Sequence, residues 1–590
     1  MKLRQDKIEW LSRFRVKAVV LATYAVLTII FTYPVAFSAN AIPGLGGDGY
    51  WFLWDFWAFK NAIFTHTNPL YTSHIYYPIG VNLAFSTTAF FNAALSIPLQ
   101  LIWDLPHAYI FVWLMSFALS GYGAFALMRY LGGSTKVAFI SGLIFMLCPY
   151  HFAHALGHMN LIATAWIPLY ALFFIKTIRE NKRLNPVIAA LFLSITAFCD
   201  FYYVIYLVTL SVLLVAYYFW TERQQESFAG ILRRTALTFV IFVGLTLPLL
   251  FPMFQELLSG SSYMYNPGGF STYSADLLAF VVPSQLHTLF GSEVSSIYQH
   301  FTGNFVEQTV FIGYAGLVLS ALAIIRLRTR EVRLWALALG IFLVLSLGPV
   351  LQVNGVVVRV PSAIPYIGKA PVPLPYYVLM HLPVFSIARV TSRWDVMVML
   401  CVSVLSGYGL QYLVSRSHSP GRVVRTENVL CLVVAGLILF EFLSVPYPTV
   451  TTAVPAFYQK MGTDPQDYAV LEVAPHESTE QMMYYQTISH KQLVNGYVSR
   501  TPPGSLEFIE TEPVVRLLIN IQEIKPGAAV NTTGLDPSVL ARYNIKYVIV
   551  HREDLTQQQI NLVQALFDKA SKGAPVVYEE GPMIVYAINK

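Results

Sequence analysis

Apolar residues in this chain fall in long, nearly unbroken runs, without the alternation of a half-buried strand or the one-sided stripe of a surface helix. The runs cover roughly 18–37, 86–103, 108–128, 137–149, 160–178, 186–199, 201–219, 235–252, 309–326, 333–350, 394–415 and 428–445. Many approach the length of about 20 residues that a helix needs to cross a hydrocarbon core. The first run follows a basic N-terminal stretch. It is too long for a signal-peptide core and many more runs follow, so it reads as a retained first transmembrane helix. The pattern predicts a mainly α, polytopic membrane protein over residues 1–445.

After 446 the character changes. Residues 468–473 and 543–550 carry the β-branched and aromatic content of strands. Residues 555–570 read as an amphipathic helix, and 575–578 and 583–587 as two closing strands. The expectation is a small α/β domain over 446–590, large enough for its own core.

Composition agrees with the membrane reading. Of 590 residues, 56% are hydrophobic and 12% charged, against about 25% charged in soluble globular proteins. Mean hydropathy is +0.55. A formal net charge of +6 is small for this length and does not suggest nucleic acid. The four cysteines, Cys148, Cys199, Cys401 and Cys431, lie in or beside apolar runs with no ligand spacing. Neither a disulfide nor a structural metal is expected of them.

The placement of charge says more than its sum. Five connections are rich in Lys and Arg: 129–136, 176–183, 223–234, 326–333 and 416–425. Basic connections face the cytoplasm. For all five to share a side with the basic N-terminus, one apolar run cannot cross. The run 86–103 is the best candidate, because it holds Asn92 and Pro98 and leads into Asp104-Leu105-Pro106-His107. About eleven crossings remain, with the N-terminus inside and the C-terminal domain outside. This parity gathers Asp48, the histidines near 154, Asp200 and the loops 253–308 and 351–393 on the outer face.

Four groups there have chemical potential. Asp48 lies in Gly46-Gly47-Asp48-Gly49-Tyr50, where glycines free the backbone for close approach of a bulky substrate. Trp51, Trp54 and Trp57 follow at every third residue, as an interfacial aromatic belt or as part of a site, and Tyr77 closes the stretch with Pro78. Asp48 is the leading candidate for a catalytic carboxylate and Asp55 the second. His151, His154 and His158 fall on one helical face. Such a face can bind zinc, but no HExxH pattern is present, and contact with phosphate or hydroxyl groups suits them better. Glu307 stands at a helix start, as a capping charge or as a second acid. Arg389 and Arg393, on the outer side, run against the charge trend. A lipid phosphate held by guanidinium forks would justify them, as would an ion pair to Asp395 or to the C-terminal domain.

Together, Gly47-Asp48 with Trp54 and Trp57, Tyr77-Pro78-Ile79-Gly80, Pro149-Tyr150 with His154 and His158, residues 304–313, the stretch from Pro383 through Phe385 and Arg389 to Arg393, and residues 543–551 resemble the GT-C glycosyltransferases, and within them the YfhO-type membrane proteins. Thr391 stands where the YfhO-type pattern often has proline. The resemblance implies sugar transfer from a polyprenyl-phosphate donor to a lipid, glycan or protein acceptor on the outer face of the cytoplasmic membrane. It implies Asp48 as general base, Arg389 and Arg393 on the carrier phosphate, and His154 and His158 assisting. Some members use a divalent cation, Mg²⁺ or Mn²⁺, and others none; Asp48, Asp55 and Glu307 are the oxygen ligands on offer. The competing readings are a flippase for lipid-linked sugars and a non-catalytic membrane scaffold. A transporter should carry ionisable groups in mid-membrane, and the apolar runs are largely free of them.

Overall fold

The computed structural model describes residues 2–221, 228–258, 269–361, 368–416, 420–473, 479–525, 527–528 and 530–589. Parts of the basic connections 223–234 and 416–425 and of the loops 253–308 and 351–393 lie outside the described residues. The chain divides into two compact units. The first takes Met1–Ser38, Ile110–Leu250 and Tyr265–Thr449; the second takes Ala39–Tyr109, Phe251–Met264 and Val450–Lys590.

Six helical segments among the described residues are long and apolar enough to cross a membrane: Phe14–Phe31, Leu105–Tyr130, Thr135–His154, Phe201–Thr221, Phe228–Glu256 and Thr391–Ser415. Leu184–Ala197 and Tyr314–Arg326 are shorter apolar helices. In the first unit, the helix Asp395–Ser415 is central and packs against Tyr314–Arg326, Arg330–Ser346 and Thr135–Leu147. Small residues permit that packing. A side chain at Gly409 would run into the Leu319 carbonyl, and Ser406 donates to the Gly316 carbonyl at 3.1 Å. Close backbone approach and interhelical hydroxyl bonds are what hold helices together where the surroundings are apolar.

Two apolar runs do not form continuous helices. Residues 160–165 form an irregular turn, and the helix begins only at Trp166. The run 86–103 yields a seven-residue helix, Phe90–Ser96, and a short 3-10 turn, Leu99–Leu101. At 1.5 Å per residue, such a helix rises about 10 Å, a third of a bilayer core.

The second unit is built on a five-stranded sheet in the order Gln492–Leu493, Ala469–Val473, Ile545–His551, Met583–Ala587, Val576–Glu580. The first three strands are parallel, and the last two pair antiparallel. The helix Gln557–Asp568 opens with a capping box between Thr556 and Gln559. The same unit holds the helix Asp48–Phe64, which packs on the helix Thr479–Ser489. Trp51, Trp54 and Trp57 form the joint. All three are buried; Trp54 Nε1 donates to Gln486 Oε1 at 2.7 Å and Trp51 Nε1 to the Tyr497 carbonyl at 3.1 Å. The tryptophan stripe is therefore core, not an interfacial belt, since large aromatic rings with a polar handle are buried where that handle finds a partner.

Candidate functional site

In the first unit, the helix Thr135–Leu147 stops at Cys148, whose extended backbone (ψ 145°) precedes Pro149. Proline disfavours a helical residue before it and offers no N–H to continue the ladder. The chain restarts as the short helix Pro149–His154 and then turns, with the His158 N–H on the His154 carbonyl at 2.8 Å. This break brings the two imidazoles together, Nδ1 to Nδ1 at 3.1 Å. One ring must donate and the other accept. His151 does not join them. It stacks on Phe117, and its ring nitrogens face the Met146 and Ile162 carbonyls at 3.0 and 3.1 Å.

Glu307 comes from the helix Phe305–Gln308, and Asn304, not Glu307, caps it, accepting the Glu307 N–H at 3.0 Å. The Glu307 carboxylate is spent elsewhere. Oε1 accepts Arg393 Nε at 3.0 Å and Nη2 at 2.6 Å, Oε2 accepts the Ser392 hydroxyl at 3.0 Å, and His154 Nε2 lies 3.9 Å from Oε2. Burial pushes this carboxyl upward, but the Arg393 guanidinium and His154 outweigh it and hold it down at about 2. Arg393 also lies over the Tyr202 ring at 5.5 Å. Its ion partner is thus Glu307, not Asp395, whose two carboxylate oxygens are buried without a hydrogen bond among the described residues.

Asn160 and Asp200 extend the cluster. Asn160 Nδ2 donates to Asp200 Oδ2 at 2.6 Å, and the Tyr202 N–H to Oδ1 at 2.7 Å. Burial raises the Asp200 carboxyl, with Arg393 nearby working against it. Arg389 differs from Arg393. It is half-buried over the Tyr273 ring at 5.7 Å, and its guanidinium has no hydrogen bond or ion pair among the described residues.

Asp48, Asp55, Trp54 and Tyr77 belong to the second unit. Gly46 and Gly47 have φ of 96° and 54°, a backbone that favours glycine, and they turn the chain so that Asp48 is the first residue of its helix. A carboxylate suits the positive end of a helix. Asp48 is half-buried and within electrostatic reach of Tyr109. Asp55 is 2% exposed, with Oδ2 accepting the Ala89 N–H at 3.2 Å. Burial drives its carboxyl up to about 7, and the Ala89 bond offsets only part of that. Tyr77 is partly exposed, with its N–H on the Leu493 carbonyl at 3.0 Å.

A divalent ion held by Asp48, Asp55 and Glu307 does not fit these positions. Seven residues of helix separate Asp48 from Asp55, a rise of about 10 Å, too far for two aspartates to share one ion. Both Glu307 oxygens already carry donors. His154, His158 and Glu307 do offer ligand-type atoms within 4.8 Å of one another, but a cation there would compete with Arg393 for Glu307. The cluster is better described as a chain of hydrogen bonds and an ion pair.

A family model describing a domain of unknown function, DUF6311, matches residues 20–411. The chain belongs to that family. Comparison with curated proteins finds no match. Among solved structures, the chain is similar to the arabinofuranosyltransferase AftD from Mycobacteria, at 15% identity and a TM-score of 0.56, over 98% of this chain and 40% of that one. It thus spans about two fifths of that enzyme's length. It is also similar to ArnT from Cupriavidus metallidurans in the apo state, at 11% identity and a TM-score of 0.50, over 97% of this chain and 98% of that one. The same enzyme bound to undecaprenyl phosphate matches at 12% identity and a TM-score of 0.50, with the same coverage. At such identities the likeness is one of fold, shared with membrane glycosyltransferases.

Proposed function

We propose that this chain is a membrane glycosyltransferase that moves a sugar from a polyprenyl-phosphate donor to an acceptor hydroxyl on the outer face of the cytoplasmic membrane. In this reading it makes about eleven crossings, with residues 446–590 outside and the N-terminus inside. The narrower YfhO-type kinship rests on the motifs alone. The observation that carries the reading is Arg389, a half-buried guanidinium with no carboxylate partner among the described residues. Arginine forks bind phosphate bidentately. The fold shared with ArnT bound to undecaprenyl phosphate supports the same chemistry.

In the reaction, Asp48 takes the proton of the acceptor hydroxyl while its oxygen bonds to the anomeric carbon. The bond from that carbon to the phosphate oxygen breaks, and the phosphate leaves with the electron pair. Arg389 binds the charge that grows on it. Arg393 is committed to Glu307 and acts as a fixed positive background, with His154 and His158 beside it.

The test is transfer of labelled sugar from a polyprenyl-phosphate donor to candidate lipid, glycan and protein acceptors. Asp48→Asn should lower the rate at least about 100-fold, the scale of losing a general base. Transfer that survives this change overturns the assignment. Movement of lipid-linked sugar across vesicles without bond cleavage points to a flippase instead.

A further inference from the structure

The second unit contains a cavity of about 590 Å³ whose lining takes no part in the proton and group transfer described above. One wall is the face of the helix Asp48–Phe64 that carries Asp55, Phe59 and Ala62. The turn after that helix, the strand Tyr71–Thr72 with Ser73 and His74, and Leu83 and Phe90 complete the lining. Its volume is that of a small-molecule site, about 300–1,000 Å³.

The lining limits what enters. It includes no Lys or Arg, and it includes Asp55, so a phosphate or carboxylate finds no positive partner. It carries uncharged amide and hydroxyl side chains, Asn61, Thr65 and Asn68 among them, and the rings of Phe59 and Phe90. Amides and hydroxyls both donate and accept. Aromatic faces cover apolar C–H surface. A ligand that presents hydroxyls on its edges and C–H groups on its faces is a sugar ring. His74, also in the lining, is kept from protonation by burial and by His490, and so adds one donor and one acceptor.

We infer that this cavity is a binding site for a short neutral glycan. Its service as the acceptor's seat rests on the transferase reading above; the binding itself does not.

The experiment titrates full-length protein in nanodiscs, carrying Asp48→Asn, with methyl glycosides and linear trisaccharides of glucose, galactose and mannose, and with glycerol phosphate as the anionic control. Catalysis is thereby removed from the readout, and failure of transfer is distinguishable from failure of binding. Saturable binding of at least one neutral sugar is expected, weakened at least tenfold by Ala62→Trp, which fills the cavity from a partly exposed position, and by Asn61→Ala. Both variants should keep the thermal midpoint of the parent. Absence of saturable binding across the sugars, binding that both variants leave unchanged, or preference for glycerol phosphate overturns the inference.

Discussion

Glu307 in the first unit, at 3% exposure, and Asp55 in the second, at 2%, are both carboxylates almost wholly out of water. Burial alone would push both toward the protonated form. Glu307 instead stands at about 2, because the Arg393 guanidinium, which grips one oxygen through two N–H groups, and His154 outweigh burial; Ser392 donates to the other oxygen. Asp55 has one backbone amide and rises to about 7. The difference lies in the partners, and it separates two kinds of acid: one held permanently charged as part of a scaffold, the other able to change its proton near neutral pH.

The same conservative change should therefore have opposite effects at the two positions. Glu307→Gln leaves the Arg393 guanidinium, only 13% exposed, beside a neutral amide. Breaking a buried pair on one side costs about 3–5 kcal/mol, and thermal unfolding in detergent should show a loss of that order. A cost under about 1 kcal/mol would mean that the pair is screened like a surface one, and the contrast would collapse.

Asp55→Asn is the second test, and its sign depends on pH. The folded protein keeps the Asp55 proton up to about 7, whereas an unfolded chain releases it near pH 4, about the ordinary aspartate value. Between those values the folded state binds more proton, so stability falls as pH rises through the window. Asparagine removes the fall. The variant should match the parent near pH 4 and exceed it by up to a few kcal/mol at pH 8, reckoned at about 1.4 kcal/mol per pKa unit. Parent and variant curves that stay parallel from pH 4 to 8 would show that Asp55 is not the isolated acid described above.

Much of the architecture was legible in the sequence, and the reason is local. Long apolar runs mark helices whatever they pack against, and the closing strand Met583–Ala587 falls where its β-branched residues placed it. The seven-residue helix Phe90–Ser96 sits in the run that charge parity singled out. The candidate residues could be named by type, but their pairing was not readable. Glu307 and Arg393 are 86 positions apart, and Asn160 and Asp200 are 40 apart. No local period reports such contacts. Asp395, two positions from Arg393, is as good a partner by sequence proximity alone. Ser392 carried no signal, since an isolated serine beside an arginine is common. The tryptophans were ambiguous for a related reason: a stripe shows which face is apolar, not whether protein or lipid covers it. Only the Gln486 partner of Trp54, 432 residues away, decides that.

The smallest effect gives the finest test of the contrast. Ser392 donates to Glu307 Oε2 at 3.0 Å and is 1% exposed. Ser392→Ala removes that donor but leaves both Arg393 bonds to Oε1. A hydrogen bond to a charged group is worth about 1.5–3 kcal/mol, so the loss should fall below that of Glu307→Gln. The pH signature is more specific than the magnitude. Because the folded Glu307 value lies below the ordinary one, its stabilisation is complete above about pH 4.3, the free glutamate value, and is lost as pH falls toward 2. Removing one donor should narrow this acid-side window from below, and Ser392→Thr, which keeps a hydroxyl, should restore it. If alanine lowers stability equally at pH 3 and pH 7, Ser392 acts through packing. The low value at Glu307 would then belong to the arginine and histidine alone, and the contrast with Asp55 would reduce to the presence or absence of a neighbouring cation.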